Sequence, residues 1–348
     1  MKRTVGRVAL TTLVVIGIVV GVLALWKLKV LIALLFFAFI VAAAIRPSVE
    51  WLRRHRVPRG AGIIVHYLAV AGFVALLLWL LVPRAVSQVE AAVGGDNLRA
   101  EARQETGWKH DALLAVDRWL HDVPTAGNAV DHALDATVLG FEILVGLFFV
   151  LASAAYWVFE RNRAISLVVS LLPREKRRVV RDTWDLIDLK LGAYVRGQLI
   201  LIVAVAGVLS TAFFAIGLPY WLLVGVFAGV VEIVPVIGPL TAGALAVGVG
   251  LTESWHVALM AGLVVLAVRL LEDYLVIPKV LGDAVGLSPL VVLVSVTATA
   301  ILFGGWAVLL AIPLAAVFAT LVSVIVLEKD PAEEEVPTVL FAAKDAEG

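Results

Sequence analysis

Four charged side chains inside otherwise apolar stretches are the residues of this sequence most able to do chemistry. Glu232 stands just before Pro235, and Arg269, Glu272 and Asp273 follow in a later stretch. A carboxylate in hydrocarbon is costly unless it is paired, protonated or hydrated, and such residues often mark ion or substrate pathways. We therefore predict that Glu232 is a coupling-ion or proton site. The alternative is a neutral glutamic acid that hydrogen-bonds to a broken backbone.

The spacing of the other three charges predicts an ion-paired group. On a helix, Glu272 lies three residues and Asp273 four residues after Arg269, so both carboxylates can reach the guanidinium. One interpretation makes these residues a second coupling site. The other makes them a structural ion pair, or acids that extend to the membrane interface.

Proline and glycine interrupt the apolar stretches beside these charges. Proline removes a backbone donor and disfavours helix before it, and the freed polar groups cannot face lipid. Broken helices of this kind form substrate and ion sites in many transporters. For Gly304 and Gly305 the alternative is close helix packing alone. The residues predicted to shape the breaks are Pro235, Gly238, Pro239, Pro278, Gly282, Pro289, Gly304, Gly305 and Pro313.

The composition indicates the class of protein that must position these residues. Of the 348 residues, 62% are hydrophobic and 16% charged, and the mean hydropathy is +1.02. Soluble domains are about half apolar and a quarter charged, so an all-α polytopic membrane protein is predicted. No cysteine and no GxxxxGK[ST], HExxH or GxSxG motif occurs in the sequence. We therefore predict neither an enzyme nor a cofactor, metal site or nucleic-acid partner.

The apolar runs predict about eight membrane segments. They are Val5–Trp26, Val30–Ile45, Gly62–Val82, Thr137–Phe159, Leu199–Gly217, the broken Leu218–Leu251, Val257–Ile277 and Pro289–Leu327. Leu218–Leu251 and Pro289–Leu327 are long for single spans. They form either kinked spans, or re-entrant hairpins whose tips, Pro235–Pro239 and Gly304–Gly305, approach each other near the midplane. The N-terminal run resembles a signal peptide, but no small-residue cleavage site follows, so a retained first helix is predicted.

Two basic segments, Arg46–Arg59 and Glu160–Gly197, predict the orientation of the chain. Short loops rich in Lys and Arg remain on the cytoplasmic side of the membrane. Both termini are then cytoplasmic, and Pro83–Ala136 lies outside. The acidic C-terminal segment from Glu328 onwards is predicted to be disordered.

These expectations divide the chain into five parts. They are three scaffold spans (1–82), an extracytoplasmic helical segment (83–136), the fourth span with its basic loop (137–197), a transport core (198–327) and an acidic tail (328–348). Tyr194, Gly197 and Gln198 open the core at the cytoplasmic end, although they are equally compatible with a simple interface anchor.

The order of several short motifs resembles the autoinducer-2 exporter family of prokaryotic permeases. These are Tyr194 with Gly197-Gln198, Gly217-Leu-Pro219, Glu232-x-x-Pro235-x-x-Gly238, Glu272 with Pro278-Lys279 and Gly282, Gly286–Leu290, and Pro313–Ala316. Three positions depart from the family pattern. Ser288 stands where His is frequent, Gly304-Gly305-Trp306 replaces Gly-x-x-Gly, and Arg269 occupies a region where a neutral polar residue is common.

The resemblance implies a secondary exporter in the inner membrane. Its implied substrate is a small solute such as autoinducer-2, and its implied alternative is Na⁺(Li⁺)/H⁺ antiport. It also implies a homo-oligomer, with a pentamer as one candidate. From the residues alone, an oligomeric channel and a non-transporting membrane scaffold remain open as other classes.

Overall fold

A computed structural model describes residues 2–93, 129–234, 237–276, 287–334 and 336, and every regular element in these ranges is helical. The α-helices are α1 (Lys2–Lys27), α2 (Lys29–Arg54), α3 (Arg59–Val93), α4 (Ala129–Ser170), α5 (Arg177–Ala215), α6 (Trp221–Val231), α7 (Ile237–Glu253), α8 (Trp255–Leu271), α9 (Pro289–Phe303) and α10 (Ala311–Ile325). Two 3₁₀ turns, Arg174–Lys176 and Gly305–Leu310, and a π-helical segment, Glu272–Val276, complete the described elements.

Five helical segments in the described ranges are long and apolar enough to cross a membrane. They are Lys29–Arg54, Arg59–Leu76, Gly140–Ser170, Arg174–Ala215 and Gly305–Ile325. Four shorter apolar helices accompany them: Thr12–Lys27, Trp221–Val231, Ile237–Glu253 and Pro289–Phe303. Helices satisfy their own backbone hydrogen bonds, which a lipid environment requires. The prediction of an all-α polytopic membrane protein is confirmed.

The chain forms two compact units. The first, called unit 1, contains Met1–Arg46, Phe149–Arg196 and Gly282–Gly348. Unit 2 contains Pro47–Phe148 and Gly197–Leu281. The five-part division predicted from the sequence follows membrane topology rather than compactness, and it stays a prediction.

Unit 2 is built around small residues that let helices approach closely. Its core includes Phe213 on α5, Ala228 on α6 and Ala246 on α7. A Cβ atom added at Gly225 on α6 would lie 2.6 Å from the Cα of Ser210 on α5. Close backbone contact of this kind supports helix association in a membrane, where hydrophobic burial adds little.

Unit 1 brings together α2, α9, α10 and the first part of α5. Leu191 on α5 packs with Ala43 on α2 and with Leu310 at the end of the second 3₁₀ turn. A Cβ at Gly192 would lie 2.6 Å from the carbonyl oxygen of Ala43. Small residues therefore set the approach of helices in this unit as well.

The helices extend further than the apolar runs predict. Arg46–Arg54 lies within α2, Glu160–Ser170 lies within α4, and much of the second basic segment lies within α5. The linkers between helices shrink accordingly, because Arg, Lys and Glu are good helix formers and need not end a helix. Of the predicted external segment, residues 94–128 lie outside the described residues.

The start of the acidic tail packs against α5. Arg178 contacts Asp330 with 3.2 Å between Nη2 and Oδ2, and Lys190 contacts Glu334 with 2.5 Å between Nζ and Oε1. Pro331 between them is buried. For residues 328–334 the expectation of disorder is wrong, because paired basic residues on α5 hold the acids. Residues 337–348 lie outside the described ranges.

Both predicted breaks interrupt helices. In Leu218–Leu251, α6 ends at Val231 and α7 begins at Ile237, and the two helices contact each other. In the last apolar stretch, α9 ends before Gly304 and contacts α10. Each stretch is therefore two short helices with a break, a form compatible with the hairpin threading. That either pair is re-entrant, and that the two tips approach each other, stays a prediction.

Candidate functional site

The four charged residues predicted from the sequence meet at one guanidinium in unit 2. Arg269 Nη1 lies 2.8 Å from Glu232 Oε1 and 3.6 Å from Glu272 Oε2. Arg269 Nη2 lies 2.9 Å from Asp273 Oδ1. One cation thus contacts three carboxylates, an arrangement named here the Arg269 cluster.

Local backbone structure places each member of the Arg269 cluster. Glu232 is the first residue after α6, at the break. Arg269 lies in the last turn of α8, and Glu272 and Asp273 open the π-helical segment that continues it. A π-helical turn changes the direction of the side chains that follow, and such turns are frequent at functional sites.

The acids of the cluster differ in their access to solvent and lipid. The side chains of Glu232 and Glu272 are 10% and 6% exposed, whereas that of Asp273 is 43% exposed. Glu272 Oε1 is buried and has no hydrogen-bond partner among the described residues. A buried acceptor without a partner is energetically costly, so this oxygen is available to a bound proton or cation.

Gln198 has a role that its sequence position does not reveal. Its Nε2 donates to the backbone carbonyl oxygen of Glu232 at 3.2 Å, so that the side chain satisfies an acceptor freed by the break. The sequence predicts Tyr194, Gly197 and Gln198 as the opening of a span, whereas all three lie well inside α5. Tyr194 is buried and Gln198 reaches the site.

The glycine and proline of the first break are matched to its geometry. A Cβ at Gly238 would overlap the carbonyl oxygen of Val231, so no larger residue fits without a shift of the backbone. Pro239 lies in the first turn of α7, where a missing N–H is tolerated. Pro235 lies outside the described residues.

The second break belongs to unit 1 and contains no charged residue. Gly304 has φ +95°, a conformation that L side chains rarely adopt, and it ends α9. Pro289 begins α9 behind the Ser288 cap, and Pro313 lies in the first turn of α10. Gly305 opens the 3₁₀ turn. Pro278, Lys279 and Gly282 lie outside the described residues.

A second charged group, in unit 1, was not predicted from the sequence. The Arg161 guanidinium on α4 pairs with Asp188 and Asp185 on α5, and Arg46 Nη1 on α2 lies 3.3 Å from Asp188 Oδ2. Arg161 and Asp188 are both 5% exposed. Two arginines face two aspartates, so the charges balance and the group joins three helices.

The spacing of the buried residues on α4 is the signal that would have identified Arg161 as a buried, paired residue. Arg161, Ile165 and Val169 are all buried and recur every four residues. A charged residue in register with a buried apolar face must have a partner. Because the basic residues of Glu160–Gly197 predicted a cytoplasmic loop, the helical spacing of Arg161 with the buried residues was not recognised.

Comparison with known proteins identifies the family. A model of the AI-2E family transporters matches residues 13–327. “Putative transport protein YrrI” of Bacillus subtilis is 24% identical over 83% of this chain and 85% of its own length. “Putative transport protein MT0215” of Mycobacterium tuberculosis is 26% identical over 90% and 88%. “Putative permease PerM” of Escherichia coli K12 is 29% identical over 55% of each chain.

The match covers nearly all of the described helices and includes the Arg269 cluster. Together with the spanning helices, it confirms the resemblance drawn from the short motifs. The chain belongs to the AI-2E family of membrane transporters.

Proposed function

We propose that this protein is a secondary transporter that exports a small solute, such as a signalling molecule like autoinducer-2, at the expense of an ion gradient. The Arg269 cluster is the proposed coupling site. The proposal places the protein in the inner membrane with both termini in the cytoplasm, as a homo-oligomer.

One observation carries the proposal: three carboxylates share one guanidinium at a helix break, and a buried oxygen of Glu272 lacks a partner among the described residues. With all three acids ionised, this group of four has three negative charges and one positive charge, a net charge of −2. Such an excess is poorly tolerated in a low-dielectric environment, so binding of a proton or cation relieves it.

Coupling follows if the access of the cluster alternates between the two sides of the membrane. When the proton or cation is bound, the site is closer to neutral, and the conformation that buries it is stabilised. When that ion leaves, the excess charge returns, and the conformation that hydrates the site is favoured. A ligand shifts such an equilibrium only through its different affinity for the two states. Glu232 is the proposed switch because it lies at the break itself.

A second candidate of the same class is Na⁺(Li⁺)/H⁺ antiport, in which the alkali cation is the substrate. The same excess of carboxylates supports it, because hard cations take oxygen ligands. Two candidates from other classes are an oligomeric channel, which has no coupling, and a non-transporting scaffold, which has no need of the acids.

Transport in proteoliposomes tests the proposal through Glu232→Gln. The amide retains the shape of the side chain and can accept a hydrogen bond from Arg269, but it cannot ionise. We expect normal insertion and residual exchange of autoinducer-2 between the two sides. Gradient-driven efflux should fall by about 10- to 100-fold, the equivalent of one charge-assisted hydrogen bond.

Glu142→Gln is the matched control. Glu142 lies exposed in the apolar part of α4, and it is not one of the carboxylates that pair with Arg269. Equal gradient-driven rates for the wild type and Glu232→Gln would refute the coupling role. Proton movement that depends on Na⁺ or Li⁺, without efflux of autoinducer-2, would favour the antiporter. Flux without counterflow would favour the channel.

A further inference from the structure

Unit 1 contains a large apolar cavity that no residue of the Arg269 cluster lines. Its volume is about 930 Å³, and helices α2, α4, α5 and α10 surround it. Phe36, Phe39, Trp157, Ile187 and Leu321 are among the residues that line it. Pockets for small molecules have volumes of roughly 300–1,000 Å³. The cavity is therefore large enough for an apolar chain, and its wall is suited to one.

Three charged side chains also line this cavity. Glu175 and Lys176 lie on the 3₁₀ turn before α5, and Glu328 lies just beyond α10. All three are exposed, and none of them forms an ion pair with another described residue. The nearby Arg178, by contrast, pairs with both Asp182 and Asp330. The cavity thus combines an apolar wall with one ammonium group and two carboxylates that no described residue neutralises.

We propose that this cavity binds a zwitterionic phospholipid with a primary amine, of the phosphatidylethanolamine type. An acyl chain occupies the apolar part. The phosphate lies at Lys176, and the ammonium group lies at Glu175 and Glu328. Lysine is a regular phosphate ligand as a point charge, and carboxylates accept charge-assisted hydrogen bonds from an ammonium group.

The charges favour this headgroup over an anionic one. A phosphatidylglycerol headgroup has the phosphate but no ammonium group, so the two carboxylates would remain unpaired beside a negative ligand. Because the helices around the cavity belong to segments long and apolar enough to span the membrane, lipid is present where the site is formed. This inference is independent of the proposed coupling function and is tested without transport.

Native mass spectrometry of the delipidated full-length protein provides the test. Phosphatidylethanolamine and phosphatidylglycerol with identical chains are added separately at equal concentration. A charge near a lipid headgroup contributes about 1 kcal/mol, so we expect about fivefold more bound phosphatidylethanolamine. The double variant Glu175→Lys/Glu328→Lys should reverse this preference, and Lys176→Glu should weaken binding of both lipids. Leu321→Trp, which fills the cavity, should reduce both.

Arg174→Glu is the matched control, because Arg174 is an exposed charge on the same 3₁₀ turn that does not line the cavity. The proposal would be overturned if the wild type bound the two lipids equally and the double variant did so as well. An effect of Arg174→Glu as large as that of Lys176→Glu would overturn it too, since it would indicate general surface electrostatics. Lipid binding unchanged by Leu321→Trp would show that the lipid lies elsewhere, on the outer surface of the helices.

Discussion

Replacing Arg269 with glutamine tests whether the Arg269 cluster is one electrostatic unit. The guanidinium is the shared partner of three carboxylates, with contacts of 2.8, 3.6 and 2.9 Å. Removing it leaves Glu232 and Glu272, both largely buried, next to each other without their cation. Unlike the loss of a surface charge, this change exposes carboxylates to mutual repulsion.

The expected magnitude follows from the burial of the pairs. Breaking a fully buried ion pair by removing one partner costs about 3–5 kcal/mol, whereas exposed pairs contribute about 0–1 kcal/mol. The Arg269 side chain is 31% exposed, which places it between these limits. We expect Arg269→Gln to reduce the free energy of unfolding by about 2–3 kcal/mol. Glu232→Gln should cost only about 1 kcal/mol, because the amide keeps a hydrogen bond.

A double-mutant cycle separates the interaction from the individual effects. If the two residues were independent, Arg269→Gln/Glu232→Gln would cost the sum of the single variants. We expect a smaller loss, because the amide introduced by Glu232→Gln no longer needs the guanidinium and one repelling charge has been removed. The coupling energy should be about 1–2 kcal/mol, within the range found for residues in one ion-pair network.

Reversible unfolding in mixed micelles provides the measurement. Arg53→Gln is the matched control, since Arg53 pairs with Glu50 in the same unit but its side chain is 54% exposed. We expect it to cost less than about 1 kcal/mol. A coupling energy within about 0.5 kcal/mol of zero would mean that the residues act independently, and it would refute the cluster as a unit.

Two further predictions concern packing and topology. Gly225→Ala should destabilise unit 2 by about 1–3 kcal/mol, because its Cβ would lie 2.6 Å from a backbone atom of α5. The control, Gly207→Ala, would place a Cβ with nothing within 4 Å, so it should stabilise the protein by up to about 1 kcal/mol in the same unfolding assay. Equal effects of the two substitutions would contradict the close contact between α5 and α6. Because the chain has no cysteine, single introduced cysteines report the membrane topology. Asp96→Cys should react with an impermeant thiol reagent in intact cells, and Ser170→Cys only after permeabilisation. Labelling of Ser170→Cys in intact cells would overturn the predicted orientation.

The existence of the helices was predictable, but their ends were not. Hydropathy identifies apolar runs because lipid requires them, and each predicted run is helical where it is described, apart from short turns and the two breaks. Hydropathy does not show whether a helix continues into the charged residues that flank an apolar run. Arg46–Arg54 was assigned to a hydrophilic segment, yet α2 continues through it and even includes Pro47. One charged residue of this extension, Arg46, contacts Asp188 on α5, and the sequence alone does not reveal such a tertiary contact.

The contacts of the candidate site within one helix were predictable from the sequence, but those between helices were not. The contacts of Arg269 with Glu272 and Asp273 follow from i+3 and i+4 spacing. The contact of Arg269 with Glu232 joins residues 37 positions apart, and no periodicity specifies that register. The same reason explains Gln198, which lies 34 positions before the carbonyl that it binds. Contacts of this kind depend on how α5, α6 and α8 pack.

The presence of an arginine in the cluster bears on which ion couples transport. Arg269 contacts one oxygen atom of each of the three acids, so a metal cation would have to share these carboxylates with the positive charge of the guanidinium. A proton needs only a single oxygen atom, which an acid of the cluster such as Glu232 at the break can supply. Under the proposed function, this geometry favours a proton over Na⁺ as the coupling ion.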